Sequence, residues 1–284
     1  MRITTVAHQG SPRIAIHERD NRWAVCPSSG DLGSHLSAGT LPEAGYDWPR
    51  VNAEALTFLA PLPRPPRNIL CLGMNYADHA REAQQAKGDA LALPEVPVVF
   101  TKATTTAAGP YADIPLDTAT TAQLDWEVEL GVVIGQGGRH IHATEALGHV
   151  FGFTVINDLS ARDLQFRHQQ FFLGKSLDSS CPMGPWITTA DSIPDPHDLA
   201  LTCRVNDQIK QQSRTSEMIF RIPQIIETLS RVMTLIPGDI IATGTPAGVG
   251  FARTPPEHLQ PGDQVTCEIE GLGHLRNRIV TNQP

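Results

Sequence analysis

Two glutamates, Glu127 and Glu129, stand two positions apart in the run DWEVELGVVIG, residues 125–135. In a strand, residues i and i+2 share a face, with side chains about 7 Å apart. The run continues as Leu130-Gly-Val-Val-Ile134, apolar on both faces, which reads as a strand entering a core. A carboxylate beside such a segment needs a partner, because an unpaired buried charge is very costly. No lysine or arginine occurs between Lys102 and Arg139 to supply one locally. A third acid, Asp158, closes another apolar run, FGFTVIND. Three carboxylates with no cysteine or histidine at ligand spacing suit a hard divalent ion, Mg²⁺, Mn²⁺ or Ca²⁺, rather than zinc. For a lone Glu-x-Glu the plain alternative is a strand with one solvated face.

A second pair lies in NYADHARE, residues 75–82. His79 and Glu82 are i, i+3 and share a face if the segment is helical. A carboxylate bonded to an imidazole fixes its tautomer and raises its basicity, as a general base requires. A surface helix of mixed charge has the same spacing. Lys175 sits in QFFLGKSLD, where a cation could neutralise an acid or hold a substrate oxygen. The loop TGTPAGVG, residues 243–250, lacks the signature of a phosphate or dinucleotide loop and reads as a tight turn presenting Thr245 and backbone donors. His140 and His142 follow the turn GQGGR and read as an exposed edge.

Strands must position these residues. Candidates are NILCLGMNY, VPVVFTK, EVELGVVIG, FGFTVIND, ALTCRVND, DIIATGT and QVTCEIE with its return HLRNRIV. Three helices are predicted. One covers 74–85. One covers 159–170, with Ser160 as N-cap and Asp163 three residues on. The clearest covers 220–235, where Ile222, Ile225, Ile226, Leu229 and Met233 make one stripe. Strands outnumber helices without regular alternation, which points to a mixed α/β, mainly β fold. Residues 1–60 read as a small N-terminal domain with two strands around a Glu-Arg-Asp-Asn turn and a short helix near Ala53–Leu59. PLPRPPR, residues 61–67, is a stiff connector. Residues 68–284 form the main domain.

The bulk numbers exclude some classes. A formal charge of −8 gives no footprint for nucleic acid or an anionic membrane. Five scattered cysteines without a CxxC motif fit reduced thiols in a cytoplasmic protein. Neither a signal peptide nor an apolar run of about 20 residues is visible.

The order NYADHARE, FTK, DWEVELGVVIG, FGFTVINDLSARDLQ, GKSLDSSCPMGPW and PGDIIATGTPAGVG resembles the fumarylacetoacetate hydrolase family over residues 66–281. The resemblance implies a β-roll catalytic domain, a homodimer, and Mg²⁺ or Mn²⁺ (Ca²⁺ as a substitute in crystals) held by Glu127, Glu129 and Asp158. It implies a water-activating dyad of His79 and Glu82, with Lys175 beside the metal. Arg162, Gln165, Thr245 and Lys102 match substrate-contacting positions. The shorter bacterial and mitochondrial branch fits best. The activity ranked first is hydrolysis of a C–C bond in a β-dicarbonyl 2-oxo acid, such as an acylpyruvate or fumarylpyruvate of aromatic catabolism, because dyad and lysine are all present. The alternatives on the same metal-enolate site are oxaloacetate decarboxylation or tautomerisation and hydration or isomerisation of a 2-oxo-dienoate. A catalytically silent metal-binding homologue is the non-enzyme alternative. Loops 86–97 and 104–124 and the N-terminal domain are expected to set specificity.

Overall fold

The structure, a computed structural model, describes residues 1–88, 90 and 92–281. Two positions of the predicted specificity loop, 89 and 91, lie outside the described residues. The first 60 residues supply β1 (Arg2–His8), β2 (Ser11–Arg19), β3 (Arg22–Val25), α1 (Leu32–Ala38), β4 (Arg50–Asn52) and β5 (Thr57–Phe58). Then follow β6 (Ile69–Gly73), α2 (Ala77–Lys87), β7 (Val98–Lys102), β8 (Ala107–Ala108), β9 (Ile114–Leu116), β10 (Leu124–Asp125), β11 (Val128–Ile134) and β12 (Val150–Asn157). The chain continues through β13 (Ser160–Ala161), α3 (Arg162–Arg167), α4 (Phe172–Lys175), β14 (Cys181–Thr189), β15 (Ala200–Val205) and β16 (Gln208–Arg214). It closes with α5 (Ile222–Val232), β17 (Ile240–Ala242), β18 (Gln264–Ile269) and β19 (Gly273–Thr281).

These elements make the mixed, mainly β architecture expected from the strand count. The large sheet runs β4-β3-β2-β1-β14-β12-β11-β17-β6-β7, with β5 on β1 and β8 on β14. A five-stranded sheet runs β16-β15-β18-β19-β9, and β10 pairs with β13. β1 joins β14 antiparallel, Arg2 facing Thr188, so the leading segment and the main body share one sheet. The proline-rich stretch is docked: Pro61 and Leu62 are buried, and Arg67 pairs with Asp239.

β11 is buried along its whole length because it lies inside the sheet between β12 and β17. Its alternation decides what it packs against. Val128, Leu130, Val132 and Ile134 belong to the larger core under the five-stranded sheet. Val133 joins the smaller core shared with the leading segment, which holds Ile3, Ile14 and Leu32. α5 docks by its stripe Ile222, Ile225, Ile226 and Leu229, all buried. Each such side chain contributes roughly 1.5–3 kcal/mol. Among the described residues no helix is long and apolar enough to cross a membrane.

The helices differ from expectation most clearly at three places. The predicted helix 159–170 shrinks to Arg162–Arg167, and Ser160 is not its N-cap. Ser160 instead pairs with Asp125 across β10–β13, and its hydroxyl donates to Asp158 O. Tertiary pairing overrides the local capping signal there. The helix expected at Ala53–Leu59 is one 3₁₀ turn, Ala53–Ala55, before β5. α1 went unpredicted inside a Gly/Ser-rich stretch. It is started by Asp31, which accepts from Ser34 N, and stopped by Gly39 at φ 63°.

Candidate active site

The acids hang from the entry of β11 and the exit of β12. Antiparallel pairing sets Glu129 opposite Ile156 and Val128 opposite Asn157. Asn157 also accepts from Glu127 N through Oδ1, and Asp158 N donates to Glu127 O. The strand ends are thereby locked, and one carboxylate oxygen from each of Glu127, Glu129 and Asp158 lies within 4.8 Å of the others. All three residues are buried, so the solvated-face alternative fails.

The cations absent from the local sequence arrive from other elements. Lys175, on α4, donates to Glu127 Oε2 at 2.7 Å and to Asp158 Oδ2 at 2.8 Å. Lys102, at the end of β7, donates to Asp158 Oδ1 at 2.7 Å and to Leu159 O at 3.0 Å. Arg162, on α3, donates to Glu127 Oε1 (2.6 Å), Asp125 Oδ2 (2.9 Å) and Gln165 Oε1 (2.9 Å). Phe251 covers the Arg162 guanidinium at 4.5 Å, and Phe100 lies 5.0 Å from Lys175 Nζ.

This packing sets the charges. Burial opposes ionisation of Glu127, but Lys175 and Arg162 overcome it and hold the carboxyl at about 2. Burial also penalises the Lys175 ammonium, and the Asp158 and Glu127 carboxylates outweigh it, raising its pKa. Glu129 differs. It accepts one hydrogen bond, from Gly244 N at 2.8 Å, and among the described residues no ion pair reaches it. Burial first, then the Asp158 and Glu127 charges, push its carboxyl well above the ordinary range.

The dyad is assembled as well. His79 Nδ1 lies 3.0 Å from Glu82 Oε1, with His79 buried. Glu82 is in turn fixed by Gly248 N, which donates to both of its oxygens at 3.0 Å. Gly248 has φ 103°, and a Cβ there would come within 2.1 Å of Lys210 O. The TGTPAGVG turn therefore holds both groups of acids: Gly244 N for Glu129 and Gly248 N for Glu82.

His79, Glu127, Glu129, Arg162, Gln165, Lys175 and Thr245 all line one pocket, with Phe100, Phe166, Phe171 and Phe251 among its apolar walls. Glu82 stands behind His79. Lys102 departs from its expected place. It is fully buried, does not line the pocket, and its ammonium is engaged by Asp158 and Leu159 O. Thr245 lines the pocket, but its hydroxyl is engaged, donating to Val128 O at 2.9 Å. His140 and His142 are exposed, as expected.

Sequence reasoning passed over Asp125, although it belongs to the DWEVE run. It accepts from Arg162, Gly250 N and Phe251 N and is fully buried. Gln211, which reaches in from β16, was also missed. Nothing in its neighbourhood QIKQQSR marks one glutamine of three as buried.

The donor set fits a hard divalent ion. Four buried acids, Asp125, Glu127, Glu129 and Asp158, face three buried cations, Lys102, Arg162 and Lys175. One carboxylate is in excess, and Glu129 is the one without a counter-charge. A cation between Glu129 and its two neighbours removes that penalty.

Comparison with known proteins shows the family and the fold. Residues 68–280 match the family described as Fumarylacetoacetate (FAA) hydrolase C-terminal. The chain is 50% identical over 271 residues to "Oxaloacetate tautomerase YisK" of Bacillus subtilis, covering 95% of this chain and 84% of that protein. It is 46% identical over 227 residues to the human "Oxaloacetate tautomerase FAHD2A, mitochondrial", covering 79% and 70%. Among solved structures, a fumarylacetoacetate hydrolase from Exiguobacterium antarcticum superposes with TM-score 0.87 at 40% identity, covering 99% of this chain and all of that one. A 2-hydroxyhepta-2,4-diene-1,7-dioate isomerase from Mycobacterium marinum superposes with TM-score 0.79 at 32% identity, over the full length of both. A mainly β fold, the ordered motifs of residues 66–281 and these relatives converge: the chain belongs to the fumarylacetoacetate hydrolase family.

Proposed function

We propose that the protein is a divalent-metal-dependent keto–enol tautomerase of short 2-oxo dicarboxylic acids, with oxaloacetate the first substrate to test. The observation that carries this reading is the 50% identity, over 95% of the chain, with a protein named oxaloacetate tautomerase. Hydrolysis of an acylpyruvate, ranked first from the sequence and its family resemblance, yields to its alternative. The bacterial and human relatives bear tautomerase names, and the Mycobacterium neighbour an isomerase name for a related enol acid.

Glu127, Glu129 and Asp158 hold Mg²⁺ or Mn²⁺ in this reading. When bound, the ion supplies Lewis-acid polarisation of the 2-oxo group and a template for its neighbouring carboxylate. The protein's own residues handle the proton. Going from enol to keto, the C2 hydroxyl loses a proton and C3 gains one. His79 donates Nδ1–H to the Glu82 carboxylate, which is acceptor-only when ionised. Nε2 is then the free lone pair: it takes the proton that the C2 hydroxyl releases and delivers it to C3, and the reverse transfer returns the keto form to the enol. Lys175 has three N–H donors and spends two on Glu127 and Asp158. The third stabilises charge developing on the substrate oxygen. The Gln165 amide, whose oxygen is taken by Arg162, offers its NH₂ to the far carboxylate. No water has to attack, so the dyad shuttles a proton and does not make a nucleophile.

The test is enol-oxaloacetate decay, followed by ultraviolet absorbance with purified protein and Mg²⁺. The enzyme should accelerate the decay, and EDTA should stop the acceleration. Decay at the buffer rate, with acylpyruvates cleaved instead, would return the reading to hydrolysis.

A further inference from the structure

Val128 separates the two glutamates, and its backbone is held in an unusual way. On one edge it has a strand partner, Asn157 of β12. On the other edge the ladder with β17 covers only Gly131 to Val133. At Val128 two side chains replace the missing strand. Val128 N donates to Gln211 Oε1 at 3.0 Å. Val128 O accepts from the Thr245 hydroxyl at 2.9 Å. Gln211 Nε2 closes the ring, donating to Thr245 Oγ1 at 2.8 Å and to Pro246 O at 2.8 Å. A primary amide offers a donor and an acceptor side by side, as a peptide unit does. Gln211 thus acts as one rung of a strand that is not there.

Gln211 is 1% exposed and is carried by β16, in the other sheet. The ring therefore ties the acid-bearing segment to both sheets and to the TGTP turn. The separation of Glu127 from Glu129 depends on the conformation of the single residue between them. Mg²⁺ demands near-ideal octahedral geometry at about 2.0–2.1 Å, whereas Ca²⁺ accepts flexible sites at about 2.3–2.6 Å. A segment fixed on both edges favours the stricter ion.

From this geometry we infer that Gln211 is a positioning residue for the metal acids, holding Val128 so that the Glu127–Glu129 pair selects a small, geometrically demanding divalent ion. The inference rests on the reading that Glu127, Glu129 and Asp158 bind such an ion. It is tested by calorimetric titration of the full chain with MgCl₂ and with CaCl₂, for wild type and Gln211→Met. The Mg²⁺ Kd should rise about 10–100-fold, as for other residues that support metal ligands. The Ca²⁺ Kd should rise less than about threefold, because a flexible shell absorbs the slack. A general weakening of the fold would move both ions alike, so an equal loss for both, or no loss, overturns the inference. Wild-type protein that takes up neither ion overturns the metal reading itself, a result distinct from uptake with an unchanged ratio. Should Gln211→Met fail to fold, Thr245→Val breaks the same ring at its other side chain and is read in the same way.

Discussion

The imidazole of His79 lies 3.0 Å from the Glu82 carboxylate, one helical turn away on α2, and Glu82 is fixed by a backbone N–H from Gly248 in a loop far along the chain. The pair is thus set by the α2 face and by a turn that only glycine can make. Replacing His79 by alanine should lower the tautomerisation rate about 10²–10⁴-fold. Calorimetry should find Mn²⁺ bound with nearly wild-type affinity, since His79 is not among the three metal acids. Activity that survives this change would remove His79 from the proton path.

Metal should stabilise the fold. At a free Mn²⁺ concentration of about 100 times Kd the gain is roughly 2.7 kcal/mol, read as a rise in melting temperature. Glu129→Gln should remove the metal-dependent part of that rise. The variant should also melt higher than wild type when both are stripped with EDTA, because it deletes the carboxylate that lacks a counter-charge. A melting temperature indifferent to both ion and chelator would contradict the fit of the acids to a cation.

Arg162→Lys should be far from conservative. The guanidinium fork serves Asp125, Glu127 and Gln165 at once and stacks on Phe251. A lysine cannot span the three acceptors, which leaves Asp125 buried without its partner. Urea unfolding should show a loss of roughly 3–5 kcal/mol.

Acid lability has a specific source in His197. Its Nε2 accepts the first N–H of α5, from Ile222, at 3.2 Å, which needs the neutral ring. Burial lowers its pKa below 6.5; Asp195 opposes this and Arg221 adds to it. The unfolded chain therefore binds the proton more readily than the folded one. Stability from this group is fully present above about pH 6.5 and is lost as pH falls through the lower folded value. Melting temperatures measured from about pH 7.5 to about pH 5 should decline, and His197→Gln should flatten the slope. An equal slope in both proteins would clear His197.

The acids of the site were legible because Glu-x-Glu inside an apolar run breaks the strand pattern. The dyad was legible because i, i+3 on a helix leaves few geometries. What pairs with them was legible only for Lys175, read as a cation that could neutralise an acid. Lys175, Arg162 and Lys102 reach Glu127 and Asp158 from three other elements, and the sequence around residue 127 shows no cation at all. Ser160 misled for a related reason. Its capping signal is real, but a two-residue pairing with β10 outweighs it. Gln211 was hidden because its role comes from filling a gap in a ladder, which only the sheet edges reveal.

The sheet joint between β1 and β14 carries a last consequence, for the making of the protein. Arg2 and Ile3 take their partners from Thr188 and Ile187, which are synthesised long after them. At about 5–20 residues per second, the leading ribbon waits roughly ten seconds or more for the strand it must join. Until then its edge is open and its apolar face uncovered. The nascent chain is thus exposed to misassembly along this ribbon, and a fold with so distant a closure should depend on chaperone holding during synthesis more than a protein of equal size with neighbouring strand pairs.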